Sequence, residues 1–143
     1  MGASAVCMAL GDKLPENVKC AISDSGFDSA GRQLSYIYSR KLRMSAKPFM
    51  RFFSNFLLHV KDFDLKQADA VSALKKSQVP VLFVHGKDDT LVPTEMVYRL
   101  AEAMEQHRRE IYVVEGAEHI MSLATEPHEY TKRVNSFLDK HRM

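Results

Sequence analysis

Val81-Leu82-Phe83-Val84-His85-Gly86-Lys87-Asp88-Asp89-Thr90-Leu91-Val92-Pro93 is the stretch on which the reading of this chain turns, together with Gly116-Ala117-Glu118-His119 further on. Each follows or contains an apolar, β-branched run, the pattern of a buried strand. Each leaves its strand through a loop that carries an ionisable residue. An aspartate aimed by one strand and a histidine aimed by the next are two of the three parts of a Ser-His-Asp machine. The carboxylate accepts the N–H of one imidazole nitrogen, fixes the tautomer and stabilises the imidazolium. The other nitrogen takes and returns the nucleophile's proton.

In that order, acid before histidine, the pair resembles the late part of a serine α/β-hydrolase. The acid loop of that family reads G-x-x-D-x-x-V-P, which Gly86 to Pro93 fits position by position. The resemblance makes Asp89 the acid, with the adjacent Asp88 a rival by residue type. It makes His119, in a G-x-x-H loop, the base. The third member, a serine on a sharp G-x-S-x-G turn, has no counterpart anywhere in the 143 residues. The chain opens Met1-Gly2-Ala3-Ser4-Ala5-Val6-Cys7-Met8-Ala9-Leu10, and Met1-Gly2-Ala3 is similar to the residues just after the nucleophile in G-H-S-M-G-A elbows. The resemblance therefore implies the C-terminal half of a serine hydrolase of the esterase or serine-aminopeptidase-like branch, starting just after its nucleophile. It also puts the backbone N–H of Met1 in the oxyanion hole. Ser4, a turn into the first helix, reads as a packing residue. Ser25, in Asp24-Ser25-Gly26, borders the family's active site and is a weak substitute for the missing nucleophile.

Composition is that of an ordinary globular protein, 45% apolar and 27% charged, with a formal charge of +2 that signals no nucleic acid. No apolar run approaches the ~20 residues that span a bilayer, and no signal peptide opens the chain. Cys7 and Cys20 read as free, buried thiols, so a cytoplasmic location is the default. No cofactor is implied. The two cysteines are not spaced as a metal pair, and no H-E-x-x-H occurs, so no metal site is expected.

Strands are expected at Asn17–Ser23, Val79–His85 and Glu110–Glu115. Helices are expected over residues 1–10, over two stretches of 32–60 divided by Pro48, over Leu65–Lys76 and Thr94–Gln106, and over Glu126–Arg142 with Tyr130, Val134, Phe137 and Leu138 inward. Strand and helix alternate, so the sheet is parallel and three-stranded with flanking helices. The α/β-hydrolase resemblance covers 1–31 and 65–143, and residues 32–64 fall where that family inserts a variable cap. All 143 residues read as one partial domain.

Residues 29–61 carry seven basic side chains (Arg32, Arg40, Lys41, Arg43, Lys47, Arg51 and Lys61) and no acidic one, which leaves the remainder at −5. With Tyr36, Tyr38, Phe49, Phe52, Phe53 and Phe56 between them, this segment has two readings. One is a lid that meets acidic lipid or an anionic acyl substrate. The favoured one is a helical cap with apolar residues packed and basic residues in water, which puts membrane contact by 32–61 second. His85 reads as local packing or a backbone hydrogen bond, and His107, His128 and His141 as exposed helical residues.

The functional expectation is a fragment of a serine hydrolase acting on ester, amide or peptide bonds, inactive alone because it holds acid and base without nucleophile. Its expected partners are a small ester or peptide substrate in the parent, and either its own copy or the missing N-terminal half. The alternative is a non-catalytic interaction or structural domain that reuses the half-fold and self-associates.

Overall fold

The computed structural model describes residues 1–42, 45–61 and 64–141. Lys41, Leu42 and Arg43 of the expected cap, and Arg142 at the expected end of the last helix, lie outside the residues described in full. Helix α1 (Gly2–Ala9) precedes strand β1 (Ala21–Asp24), and α2 (Ala30–Leu42) and α3 (Lys47–Lys61) form the cap segment. Then come α4 (Ala70–Leu74), β2 (Val81–Gly86), α5 (Glu95–Glu102), β3 (Arg109–Val114), α6 (Ser122–Thr125) and α7 (Pro127–His141). The three strands form the expected parallel sheet in the order β1-β2-β3.

All six residues of β2 are buried, as a central parallel strand requires. Its side chains alternate between two cores. Val81 and Phe83 join Cys7, Leu74, Val97 and Leu100 under α1, α4 and α5. Leu82 and Val84 join Tyr112, Val114 and Phe137 under α7. Phe137 is the buried anchor of α7, with Tyr130 and Val134 packed beside it. All three strands end at the same side of the sheet, so the loops after Asp24, Gly86 and Val114 meet there, where open α/β sheets place their ligands.

Four elements depart from expectation, one of them α5, which ends at Glu102 rather than at Gln106. The first strand is shorter and later than Asn17–Ser23: the Val18 N–H closes a turn on the Pro15 carbonyl, and pairing starts only where Ala21 meets β2 just after Pro80. Cys20 is consequently half-buried ahead of the strand. The stretch Leu65–Lys76 is broken into a single 3-10 turn and α4, because Asp64 and Asp69 each cap a separate N-terminus. The cap divides ahead of Pro48, which sits in the first turn of α3, where its missing N–H costs nothing.

The favoured packing of the cap aromatics is overturned in part. Phe49 stacks on Tyr38 and Phe53, with ring centroids 4.2 and 5.7 Å apart. Phe52, Phe56 and Val60 are exposed, and α3 has no buried residue. No helix among the described residues is long and apolar enough to cross a membrane.

Candidate active site

The acid loop is built by the carboxylate it presents. Asp89 is buried, and its Oδ1 accepts the N–H groups of Leu91 and Val92 at 2.9 and 2.8 Å. These two bonds wrap residues 89–92 into a turn around the carboxylate and leave Oδ2 free to face outward. Oδ2 lies 2.7 Å from Nδ1 of His119. An acceptor-only carboxylate requires the proton on Nδ1, which leaves the Nε2 lone pair available as a base. The side chain of His119 is 24% exposed, that of Asp89 not at all. Asp88, the rival, is exposed, and its backbone N–H goes to the Ala117 carbonyl at 3.0 Å.

The carbonyls of the same loop are held as well. Gln33 donates to Leu91 O at 2.8 Å, and Arg40 and Tyr36 to Thr90 O at 2.8 and 3.2 Å, so α2 is fastened across the acid loop. His85 donates from Nε2 to Val92 O at 2.9 Å, and the same nitrogen lies 3.3 Å from Asp89 Oδ2. The backbone bond of His85 was legible; its seat against the acid was not. With Nε2 protonated, Nδ1 of this fully buried ring is left without a partner.

The base loop is pinned to β2 from the other side. Lys87 donates to Val114 O at 2.8 Å, and a Cβ at Gly86 would stand 2.3 Å from Ala117 O. Glycine is therefore the residue that lets the two loops lie against each other. Beyond His119, Ile120 adopts φ 59°, and Ser25 adopts φ 58°. These two strained residues are joined: the Ile120 N–H donates to Ser25 Oγ at 3.2 Å, and Ser25 Oγ donates to Asp24 Oδ1 at 2.9 Å. Asp24 Oδ2 accepts the Tyr130 hydroxyl at 3.0 Å, and burial with the nearby carboxylate pushes that phenol up to about 12. Ser25 is thus a brace beneath the histidine loop, committed as donor and acceptor.

Ser4 is buried and accepts the Phe27 N–H at 2.8 Å, tying the start of α1 to the Ser25 loop. Met1 precedes α1, is 91% exposed, and has no hydrogen bond to Asp89 or His119 among the described residues. Cys7 and Cys20 are free, and burial pushes the Cys7 thiol up. His107 and His128 are exposed, whereas His141 is half-buried, edge-on to Phe137. Among the described residues no group of three or more His, Cys, Asp or Glu is placed to hold a metal ion.

Residues 2–124 match the family described as serine hydrolase (FSH1). The chain belongs to this serine hydrolase family. A relative of this chain, the uncharacterized protein YqkD of Bacillus subtilis (strain 168), is 29% identical over 139 residues. That match takes in 97% of this chain and 45% of YqkD, so the chain spans under half of that curated relative's length. Among solved structures, the Pyrococcus furiosus esterase PF2001 superposes with a TM-score of 0.69 at 18% identity, over 97% of this chain and 50% of its own. The esterase domain from a Rhodothermus marinus protein gives 0.66 at 14%, over 98% and 57%. The acylaminoacyl peptidase of Pyrococcus horikoshii gives 0.62 at 18%, over 96% and 22%. At these identities the likeness to solved structures establishes the fold of this chain, that of the α/β-hydrolases.

Proposed function

We propose that Asp89 and His119 are the acid and base of a Ser-His-Asp triad that cleaves ester, amide or peptide bonds through an acyl-enzyme. The observation that carries this is the 2.7 Å contact from His119 Nδ1 to an Asp89 carboxylate whose other oxygen is held by two backbone N–H groups. Asp89 orients the ring and stabilises the imidazolium; Nε2 takes the nucleophile's proton and returns it to the leaving group. The nucleophilic serine comes from the part of the relatives' length that this chain does not span, on an elbow leading into α1. The N–H of Met1 then completes half of the oxyanion hole when it is a peptide amide. Ser4 and Ser25 are occupied in holding loops and do not serve as nucleophile. The family membership and the esterase and peptidase names of its structural neighbours favour acyl transfer over a purely structural role.

The test is reconstitution. The 143-residue chain alone should show no turnover of activated short-chain esters and no labelling by a fluorophosphonate probe. Co-expression with an N-terminal segment ending in G-x-S should give esterase activity. His119→Ala in the assembled protein should lower it by a factor on the order of 10⁴ or more, Asp89→Asn steeply, and Asp88→Asn little. Stoichiometric labelling of the isolated chain, or an assembly that stays active with His119→Ala, would overturn the assignment.

A further inference from the structure

The second cap helix turns part of its apolar surface outward. Phe52, Phe56 and Val60 recur at helical spacing on one side of α3, and they are 70%, 45% and 57% exposed. The side turned to the body holds the half-buried Met50, Phe53, Ser54 and Leu57, so α3 carries apolar side chains on both sides. There Met50, Arg51 and Ser54 line a groove of about 450 Å³ against Ser29, Ser35, Lys66 and Asp69. The helix itself carries the exposed Lys47, Arg51 and Lys61 and no acidic residue. An exposed aromatic stripe alone suits any apolar partner. A helix with three exposed cations and no acid of its own favours one with negative charge. Together they have the composition of a helix that lies in the headgroup plane, its rings among acyl chains and its cations on phosphates.

We infer that α3 docks the chain on an anionic lipid surface. Its 15 residues lie along the bilayer plane, with Phe52, Phe56 and Val60 entering the acyl boundary. The docked helix is close to the acid loop: Phe49 stacks on Tyr38 of α2, and α2 holds the Thr90 and Leu91 carbonyls. The element that meets lipid is therefore coupled to the one that holds Asp89. Binding does not depend on the catalytic reading and is measured without turnover.

The experiment is co-sedimentation of the 143-residue chain with vesicles of phosphatidylglycerol and phosphatidylcholine, against vesicles of phosphatidylcholine alone. Binding to the anionic vesicles should be at least about tenfold tighter and should fall as salt screens the charges. Lys47→Gln and Arg51→Gln should each weaken it on the order of fivefold. Phe52→Ser with Phe56→Ser should abolish it, with Phe52→Ser alone as the milder form and a thermal melt as the check on folding. Equal or no binding to the two vesicle types overturns the proposal, as does binding that survives the double Phe substitution. So does a dimer in light scattering that the Phe substitutions dissolve without any vesicle binding, since a second copy then covers the stripe.

Discussion

Ser25 and Ile120 occupy positive φ on either side of one hydrogen bond, and both flank the machinery that places His119. A β-branched residue at that φ is held against its preference, at a cost on the order of 1–3 kcal/mol, and persists only because its surroundings fix it. Substitution can separate the strain from the bond. Ser25→Gly keeps the left-handed backbone at little cost but removes the acceptor, so the Ile120 amide should exchange with solvent at least about tenfold faster. Global stability should change by no more than about 1 kcal/mol. Amide exchange followed by NMR, beside a denaturant melt, checks both, and unchanged Ile120 exchange would show that the brace does not hold the loop. The choice of Asp89 over Asp88 was open to a reader of the sequence, because one residue's shift in G-x-x-D-x-x-V-P separates them. The brace was not, since Ser25 and Ile120 stand 95 positions apart and neither carries a signal for its φ.

Helices here act on the site through the carbonyls and carboxylates they reach. Helix α7 touches the end of β1 through Tyr130 and Asp24, and β3 touches Glu126, just ahead of α7, through Tyr112. Burial, with Glu126 beside it, pushes Tyr112 up to about 12, the same value that burial and Asp24 give Tyr130. Both phenols lose their protons in the fold at higher pH than in the unfolded chain, near 10. The folded state therefore binds more protons between those values, and stability should fall as pH rises from about 10 to about 12. Below pH 10 the contribution of both is intact. Melting temperature against pH, with Tyr130→Phe for comparison, measures this; the variant should show a shallower alkaline decline. Elements with strong periodicity, such as α5 and α7, were legible in place and type, although α5 ends at Glu102, four residues before the expected Gln106. The split of Leu65–Lys76 was missed because Asp64 and Asp69 lie in a stretch whose apolar spacing stays helical, and a cap overrides such spacing only through its own hydrogen bonds.

Among the described residues the three-stranded sheet is open at both edges, but not equally. Strand β3 is guarded by charge at Arg109 and Glu110, the latter paired with Lys140. Strand β1, Ala21–Asp24, has no charge before its last residue, and Ile22 is only half-buried. Such an edge invites pairing. The isolated chain should therefore associate at micromolar concentration, and Ile22→Lys should return it to a monomer in light scattering; a monomeric parent would refute the edge as a joining surface. The fold class was readable because alternating strand and helix leave few arrangements, whereas the outward stripe of α3 depends on which way a helix is rolled. One contact reaches into inheritance. Every missense change in a glycine codon brings in a residue with a Cβ, and at Gly86 a Cβ lands 2.3 Å from the Ala117 carbonyl. Any missense change at this codon should therefore push the loops of Asp89 and His119 apart together, a single inherited step that disturbs both.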